Sequence, residues 1–317
     1  MKAAAIAFYN TENFFDIGND PEKFDNEFTP DGTLRWTRKR YNNKLRKISW
    51  VISQIGIEET GEPPLFVGLA EIENRTVLKD LVESENLAKY NYEIVHFDSL
   101  DERGIDNALI YRKDLIDYIS AEPIRQTYER PDGRIDYSRD ALHVKFKINR
   151  KKLHVFVTHF PSRANNDDKR EFRNQIMSNL RLRIDEILNS NPLAQVAVIG
   201  DMNGNPDDFE ARALLRTTDE LNFDNNELYN PMLKFDKNTG SLTHDRNWIL
   251  FDQMLFSKSF FGLGEDLIRF QSAHIFQPNS VMDWDKKFFG TPFRTYAGTK
   301  YLGGYSDHFP VYAILNY

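Results

Sequence analysis

The feature that most constrains the fold of this 317-residue chain is a series of short, almost wholly apolar runs along its whole length. Such runs, rich in Val, Ile, Phe and Ala, are typical of strands that are covered on both faces. The predicted strands are Ala4–Tyr9, Leu65–Ala70, Tyr92–Phe97, Ala108–Arg112, Ala141–Ile148, Leu153–Phe160, Val196–Gly200, Gln253–Phe256 and Val311–Leu315.

Amphipathic segments lie between these strands. Apolar residues recur at helical spacing over residues 41–55 and 172–187, and a shorter helix is predicted to begin near Asn74. Two polar stretches, residues 16–32 and 217–244, are predicted to be surface loops. Mixed strands and helices, with adjacent strands that resemble a hairpin, favour packed mixed sheets over a barrel of alternating units.

The composition excludes several classes of protein. With no cysteine, the chain has no disulfide, thiol nucleophile, zinc–thiolate site or iron–sulfur cluster. No apolar run is long enough to span a bilayer, so no integral membrane segment is predicted. The net charge of -7 argues against broad electrostatic capture of nucleic acid, although the field of a cleft can still attract phosphate.

The organisation of the chain is simple. It contains no internal repeat, low-complexity tract or linker, so we predict one domain over residues 1–317 and a monomer. The first residues lead directly into a predicted strand, and no signal peptide is visible. A natural start at Met1 predicts a cytoplasmic protein, whereas a removed leader predicts a periplasmic or secreted one.

Polar side chains stand at the ends of the predicted strands, where a sheet scaffold assembles a cleft. Each has a simpler explanation when taken singly, because acids and amides also form turns and a histidine on an apolar strand is often a core residue. Asp252, for example, could be a strand-edge charge paired with a surface lysine. The candidate residues are Asn10, Glu71, His159, Asp201, Asn203, Asp252, Asp307 and His308.

The segment Ser-Asp-His-Phe-Pro, residues 306–310, is the most informative of these sites. It places a carboxylate and an imidazole side by side before the last predicted strand. Hydrolysis of a phosphodiester needs a cation on a nonbridging oxygen and a base for water. Hard divalent ions such as Mg²⁺ prefer oxygen ligands, and with no cysteine and few histidines zinc is the poorer choice.

The order of the motifs resembles that of the endonuclease/exonuclease/phosphatase superfamily, which includes deoxyribonuclease I and exonuclease III. Further stretches, at residues 27–32, 102–111 and 294–298, are similar to a bacterial branch of this superfamily, some of whose members carry secretion leaders. The matching motifs are Tyr-Asn-Thr-Glu-Asn (9–13), Ala-Glu-Ile-Glu-Asn (70–74), Thr-His-Phe-Pro-Ser-Arg (158–163), Gly-Asp-Met-Asn (200–203), Phe-Asp-Gln-Met-Leu-Phe-Ser (251–257) and Ser-Asp-His-Phe-Pro (306–310).

The resemblance implies a deoxyribonuclease-I-like α/β (α+β) fold, a four-layer sandwich of two packed mixed β-sheets flanked by helices. It also implies a metal site. Asn10 and Glu71 would hold the ion, with Asp307 close to it. The expected cofactor is Mg²⁺, with Mn²⁺ or Ca²⁺ as alternatives.

Catalytic roles are implied in the same way. Asp252 would accept a hydrogen bond from His308 and so fix its tautomer. Asp201 would orient or deprotonate the attacking water, Asn203 would hold the phosphoryl oxygen, and His159 would donate to the scissile phosphate or assist the leaving group. Whether His308 or Asp201 is the base stays open, because coupled groups share their titration.

Three arginines resemble the phosphate-contacting residues of the family. Arg139 and Arg163 match well and Arg103 more loosely, and the alternative for each is a surface ion pair. The chain lacks a basic, aromatic-rich insertion for gripping a duplex. That departure argues against a deoxyribonuclease-type substrate.

The leading functional hypothesis is a divalent-metal-dependent phosphoesterase that cleaves phosphodiester or phosphomonoester bonds by in-line water attack. A nuclease is placed first, with nucleic acid as the expected partner. The alternative within the class is a phospholipid or sugar-phosphate hydrolase, for which Trp284, Phe288 and Phe289 are candidate lipid contacts. A hypothesis from another class is a non-catalytic binding module, which should have lost one or more of the catalytic residues.

Overall fold

Two mixed β-sheets form the middle of the molecule. The computed structural model describes residues 2–130, 132–163, 167–262, 264 and 267–317. The strands are β1 (Ala3–Phe14), β2 (Phe66–Ile72), β3 (Tyr92–His96), β4 (Asp106–Arg112), β5 (Asp117–Glu129), β6 (Ile135–Ile148), β7 (Lys151–His159), β8 (Gln195–Asp201), β9 (Thr217–Thr218), β10 (Leu228–Tyr229), β11 (Leu242–His244), β12 (Asn247–Ile249), β13 (Asp252–Ser257), β14 (Arg269–Ile275), β15 (Tyr296–Ala297), β16 (Lys300–Tyr301) and β17 (Val311–Asn316).

The strand order places the two ends of the sequence next to each other. Sheet I has six strands in the order β14-β17-β1-β2-β4-β3, and sheet II has seven in the order β5-β6-β7-β8-β13-β10-β9. In each sheet most neighbours are antiparallel, but β1 runs parallel to β2, β7 to β8 and β9 to β10. Strand β1 therefore lies between β2 and β17. Asn10 lies on β1, Glu71 on β2, and Asp307 and His308 just before β17.

The main core lies between the sheets. Even-numbered residues of β1, such as Ile6 and Phe8, point into this core, whereas Ala5 and Ala7 face a helical layer. This alternation follows from the two-residue period of a strand. Gly68 of β2 lies close to the opposite sheet, because a methyl group there would stand 2.8 Å from Cδ1 of Ile199.

Helices cover the outer face of each sheet. They are α1 (Arg38–Gln54), α2 (Ile57–Thr60), α3 (Arg75–Val82), α4 (Arg170–Ser190) and α5 (Phe209–Leu215). The buried faces of α1 and α3 pack on sheet I, and those of α4 and α5 pack on sheet II. Asn74 caps α3, since its Oδ1 accepts a hydrogen bond of 3.0 Å from the backbone N–H of Val77.

This architecture confirms the predicted four-layer sandwich and corrects some details. Strands β5 and β14 were not predicted, and the polar stretch 217–244 holds short strands as well as loop, with β9 and β10 completing one edge of sheet II. No helix in the described part of the chain combines the length and apolarity that crossing a bilayer requires.

Candidate active site

The neighbouring strands β1 and β2 carry two of the candidate residues where their pairing becomes irregular. The β1–β2 register is regular up to Asn10 and then shifts, and the β2–β4 register shifts between Leu69 and Ile72. Glu71 lies within that second irregularity and has a φ of 62°, a left-handed conformation that costs free energy outside glycine. Its Oε2 accepts a 2.7 Å hydrogen bond from the backbone N–H of Asn13.

Three neighbouring strands of sheet II bring three more candidates side by side. Asp201 at the end of β8 is the register partner of both His159 on β7 and Asp252 on β13. His159 Nε2 lies 3.5 Å from Asp201 Oδ2. Asn203, with a φ of 45°, donates its backbone N–H to Asp201 Oδ1 at 2.9 Å and its side-chain amide to the carbonyl of Phe160.

Asp201 also joins the two sheets. Its Oδ2 accepts a 3.0 Å hydrogen bond from Nδ2 of Asn10, so the ends of β1 and β8 meet through this pair. The hydroxyl of Ser306 donates to the carbonyl of Asn10 at 2.7 Å, which brings the segment before β17 to the same place. The site thus forms where the ends of strands from both sheets converge.

His308 and Asp252 form a buried dyad. Nδ1 of His308 lies 2.6 Å from Oδ2 of Asp252, and the backbone N–H of His308 donates to the Ser306 hydroxyl at 3.1 Å. The other ring nitrogen, Nε2, lies 3.9 Å from Oδ2 of Asp201 and 4.0 Å from Oδ1 of Asp307. The partner of Asp252 is therefore an imidazole and not a surface lysine.

The dyad favours the charged imidazole. Burial alone would lower the pKa of His308, but the charge of Asp252 and the hydrogen bond to it, followed by the charges of Asp307 and Asp201, raise that pKa well above its ordinary value. The Asp252 carboxylate therefore stabilises the imidazolium that forms when His308 takes a proton.

The other two titratable groups shift towards their neutral forms. Burial, and then the charge of Asp252, raises the pKa of Asp201 to about 6. Burial, and then the positive charges of Arg139 and Arg103, lowers the pKa of His159 well below its usual range. Nδ1 of His159 is buried and has no hydrogen-bond partner in the part of the chain that the structure describes.

The predicted substrate-binding arginines occupy different positions. Arg139 is buried and donates to the carbonyls of His159 and Phe160, at 3.0 and 2.8 Å, so it braces the chain after β7. Arg103 is half-exposed, donates to Oδ1 of Asn13 at 2.6 Å and lies 3.9 Å from Oε1 of Glu71.

Arg163 lies on the other side of the site. Its Nε donates to the carbonyl of Asn203 at 2.6 Å, and its guanidinium also pairs with Asp208. Because its side chain is 39% exposed, part of the guanidinium is still open to a ligand.

The buried pair of Lys44 and Glu12 was not predicted from the sequence. Nζ of Lys44 donates at 2.7 Å to both the carbonyl of Glu12 and the hydroxyl of Thr295, and it lies 3.9 Å from the Glu12 carboxylate. Burial, and then the charge of Asp307, raises the pKa of Glu12 to about 7. The available signal was the position of Lys44 three residues after Tyr41, on the apolar stripe of α1.

The donor set fits a hard divalent cation. Of the three predicted metal residues, Glu71 and Asp307 supply carboxylate oxygens. The Asn10 amide is oriented so that its Nδ2 donates to Asp201 and its Oδ1 accepts from the backbone N–H of Glu12. Asp201, Asp252 and His308 also offer ligand atoms within 4.8 Å of one another. In that trio the short His308–Asp252 contact occupies one ligand atom of each residue.

A pocket of about 700 Å³, which none of the candidate catalytic or metal residues lines, lies next to the segment that carries His308. Trp248 in this pocket stacks on Phe309, the residue after His308, with ring centroids 6.2 Å apart. We call it the flanking pocket. The aromatic and cationic side chains that line it are Trp248, Phe288, Phe289, Arg246, Lys287 and Arg294.

The family model described as "Endonuclease/Exonuclease/phosphatase family" matches residues 5–317, which is nearly the whole chain. The chain belongs to this family. Because the family and the site agree, the protein is a metal-dependent hydrolase of phosphate esters, and the alternative of a non-catalytic binding module is wrong. No curated protein sequence matches the chain significantly.

Solved structures show the same fold for members of this family. An endonuclease/exonuclease/phosphatase family protein from Bacteroides thetaiotaomicron superposes with a TM-score of 0.60 and 17% identity, covering 99% of this chain and 98% of that one. A mannosyl-6-phosphatase from the same organism superposes with a TM-score of 0.59 and 17% identity, covering 99% of this chain and 100% of that one. D. rerio TDP2 complexed with single-strand DNA product superposes with a TM-score of 0.58 and 13% identity, covering 99% of both chains.

Proposed function

We propose that the protein cleaves phosphodiester bonds of single-stranded nucleic acid by in-line attack of water. The observation that carries this proposal is the His308–Asp252 dyad at 2.6 Å, with Nε2 of His308 facing Asp201. A carboxylate on one ring nitrogen holds the tautomer and stabilises an imidazolium, while the other nitrogen is left to act on phosphate or water.

The proposed roles follow from the hydrogen bonds. The proton of the attacking water passes to the Asp201–His308 pair, whose nearest atoms are 3.9 Å apart. His159 donates to the scissile phosphate or the leaving group. Asn203 holds a phosphoryl oxygen, and its backbone N–H keeps the Asp201 carboxylate in place.

The proposed cofactor is Mg²⁺ held by Glu71, Asn10 and Asp307. When bound, the ion supplies positive charge against the developing charge on a nonbridging phosphate oxygen. The protein itself contributes Arg103 and Arg163 as partly exposed phosphate contacts. Arg139 contributes indirectly, because its guanidinium positions the carbonyls around His159.

The flanking pocket supports a nucleic-acid strand as the substrate. Aromatic rings stack on bases of any sequence, and cationic side chains follow the phosphates of a single strand. Phe288 and Phe289 are exposed, and Lys287 and Arg294 line the same pocket. A net charge of -7 and the lack of a basic insertion argue for a short or single-stranded ligand over a duplex.

The test is a hydrolysis panel with and without EDTA, comparing single- and double-stranded DNA, RNA, sphingomyelin, phosphoinositides, sugar phosphates and an aryl phosphodiester. We expect single-stranded nucleic acid to be cleaved fastest, and the His308→Ala protein to control for contaminating nucleases. Turnover of lipids or sugar phosphates alone would contradict the nuclease assignment and leave the family chemistry intact.

A further inference from the structure

Strand β1 contains a strained segment directly after Asn10. Its pairing with β2 becomes irregular between Asn10 and Phe14. Within this irregularity Glu12 and Asn13 have φ values of 54° and 52°, so two consecutive residues other than glycine adopt the left-handed conformation. Such backbone costs free energy and persists only where its surroundings hold it. We call Glu12 and Asn13 the strained segment.

The strained segment orients two of the candidate metal residues through its backbone. The N–H of Glu12 donates to Oδ1 of Asn10 at 3.0 Å, and the N–H of Asn13 donates to Oε2 of Glu71 at 2.7 Å. The first bond leaves Nδ2 of Asn10 directed at Asp201, which accepts from it at 3.0 Å. Because planar peptide groups follow the backbone dihedrals, a relaxed segment would direct these N–H groups elsewhere.

Lys44 of α1 holds the strained segment in place. Its side chain is 1% exposed, and Nζ donates at 2.7 Å both to the carbonyl of Glu12 and to the hydroxyl of Thr295. Nζ also lies 3.5 Å from the carbonyl of Tyr305, the residue before Ser306. A buried ammonium group is costly unless it is paired and hydrogen-bonded, and the Glu12 carboxylate 3.9 Å away supplies the opposite charge.

The Glu12 carboxylate fastens the strained segment to the chain before β17. Its Oε2 accepts a 2.6 Å hydrogen bond from the backbone N–H of Thr295, and its Oε1 accepts one of 3.3 Å from that of Tyr296. Both donors belong to residues 294–298, one of the stretches that resemble the bacterial branch. Lys44 and Glu12 thus tie β1 to the segments that lead into the last strand.

We propose that Lys44 and Glu12 are positioning residues for the hydrolysis of phosphate esters. They hold the strained segment, and this segment presets the Asn10 amide and the Glu71 carboxylate. Since Nζ of Lys44 and both carboxylate oxygens of Glu12 are engaged by the chain itself, the pair acts through other residues. A displacement of about 1 Å in a reacting group can lower a rate about a hundredfold, so the pair matters without contacting substrate.

The test compares Lys44→Met with a matched control, Lys47→Met. Methionine is about as long as lysine and carries no charge. Lys47 lies about one turn further along α1, donates to the carbonyl of Gly303, and has its Nζ 4.4 Å from the centre of the Tyr305 ring. It therefore fastens α1 to the same region of the chain at a different point.

The measurements are kcat, KM and Tm at saturating Mg²⁺, on the ester that the wild type cleaves fastest. For Lys44→Met we expect kcat to fall at least about tenfold at a nearly unchanged KM, because positioning acts on the transition state. Lys44→Arg keeps the charge and should recover part of the loss. Lys47→Met should keep the wild-type kcat even where its Tm falls.

Two results would overturn the proposal: a Lys44→Met protein that loses Tm but keeps kcat, and an equal loss of kcat in Lys47→Met. The inference rests on the proposed hydrolysis but not on the kind of ester. Because all variants are compared on one substrate, an error in the nuclease assignment leaves this test unchanged.

A second variant covers the case in which Lys44→Met does not fold. Thr295→Val removes the hydroxyl that accepts from Lys44 and keeps the backbone N–H that donates to Glu12. We expect a smaller fall of kcat, again at an unchanged KM. Thr29→Val, whose native hydroxyl donates to the carbonyl of Asn26 at an exposed position, is its control. A wild-type kcat in Thr295→Val contradicts the positioning role.

Discussion

At the residue scale, the His308–Asp252 dyad gives the sharpest prediction. His308→Ala should lower turnover at least about a hundredfold, which is the usual effect of losing a proton-transfer group. Asp252→Asn should lower turnover less, because it misorients the ring without deleting it. The measurement is the single-turnover rate on the best substrate. His274→Ala, on the edge strand β14, is the control, and a near wild-type rate for His308→Ala would contradict the proposed role.

Glu71 gives a prediction about the metal. Glu71→Gln keeps the shape and the oxygen that accepts from Asn13 but removes the negative charge. We expect the Mg²⁺ concentration for half-maximal activity to rise at least about tenfold. EDTA should abolish wild-type activity, and Mg²⁺ or Mn²⁺ should restore it. An unchanged metal titration in Glu71→Gln, with Glu83→Gln as the reference, would show that another residue is the anionic ligand.

Residue patterns indicated candidate site residues but not the buried residues that support them. Candidates at strand ends could be found because a polar residue after an apolar run is conspicuous, and the structure places Asn10, Asp201 and His308 within one network. The buried pair of Lys44 and Glu12 could not be found in this way. A single charge on an apolar helical face indicates a buried partner only when the facing strand is known.

At the element scale, the contact between β7 and β8 leaves no room for a side chain. A methyl group on Gly200 would stand 2.1 Å from the carbonyl oxygen of Thr158, its register partner. Gly200→Ala should lower the free energy of unfolding by about 1–3 kcal/mol and displace Asp201. Denaturant unfolding and turnover measure the two effects. Gly262→Ala is the control. Its added methyl group meets the flexible end of the Leu267 side chain, so its free energy of unfolding and its turnover should change little.

The β6–β7 hairpin predicts a dependence of stability on pH. His143 and His154 pair across it at 3.0 Å, facing Glu122, Lys145 and Lys152. Burial, and then the charge of His143, lowers the pKa of His154 from 6.5 to about 4. Between these values the unfolded chain binds more protons than the folded one, so stability is present above about pH 6.5 and is lost as the pH falls towards 4.

The matching experiment measures Tm against pH for the wild type and for His154→Gln. The variant should show a shallower loss of Tm between pH 6.5 and 4, since glutamine does not titrate. His244→Gln, whose native side chain is 78% exposed, should behave as the wild type does. If Tm falls equally steeply with pH in His154→Gln and in the wild type, His154 is not a cause of the loss of stability at low pH.

Buried elements were predictable and edge elements were not. The central strands β1, β8 and β17 are covered on both faces and read as continuous apolar runs. The edge strands β5 and β14 are half-exposed, and β5 contains Pro123, which is tolerated at a sheet edge. Their sequences therefore resemble loops, and backbone pairing with a neighbour decides their conformation.

At the scale of the whole molecule, the prediction of one domain over residues 1–317 awaits experiment. Both sheets contribute to a shared core, in which Phe66 of sheet I stacks on Phe146 of sheet II with centroids 5.7 Å apart. We therefore expect one cooperative unfolding transition by circular dichroism and by tryptophan fluorescence, at a monomer mass by sedimentation. Two separated transitions would indicate independent units.

The fold class was predictable because motif order and strand pattern agree along nearly the whole chain. The pocket lined by Asp16, Asp25, Glu73 and Asp106 was not, since these residues belong to three separate segments of the sequence and only Asp16 and Asp25 lie in the predicted loop 16–32. Only the packing of the β3–β4 connection against the segment after β1 brings Asp25 into one pocket with Ser99 and Asp106. Long-range contacts of this kind carry no local sequence signal.

The pairing of β1 with β17 has a consequence for the synthesis of the protein. Ser306 reaches Asn10, and His308 reaches Asp252, only when the last strand has inserted between β1 and β14. A nascent chain that still lacks this strand holds most of the core but not the dyad. We therefore expect hydrolysis of phosphate esters to begin only once the last strand has left the ribosome and paired with β1.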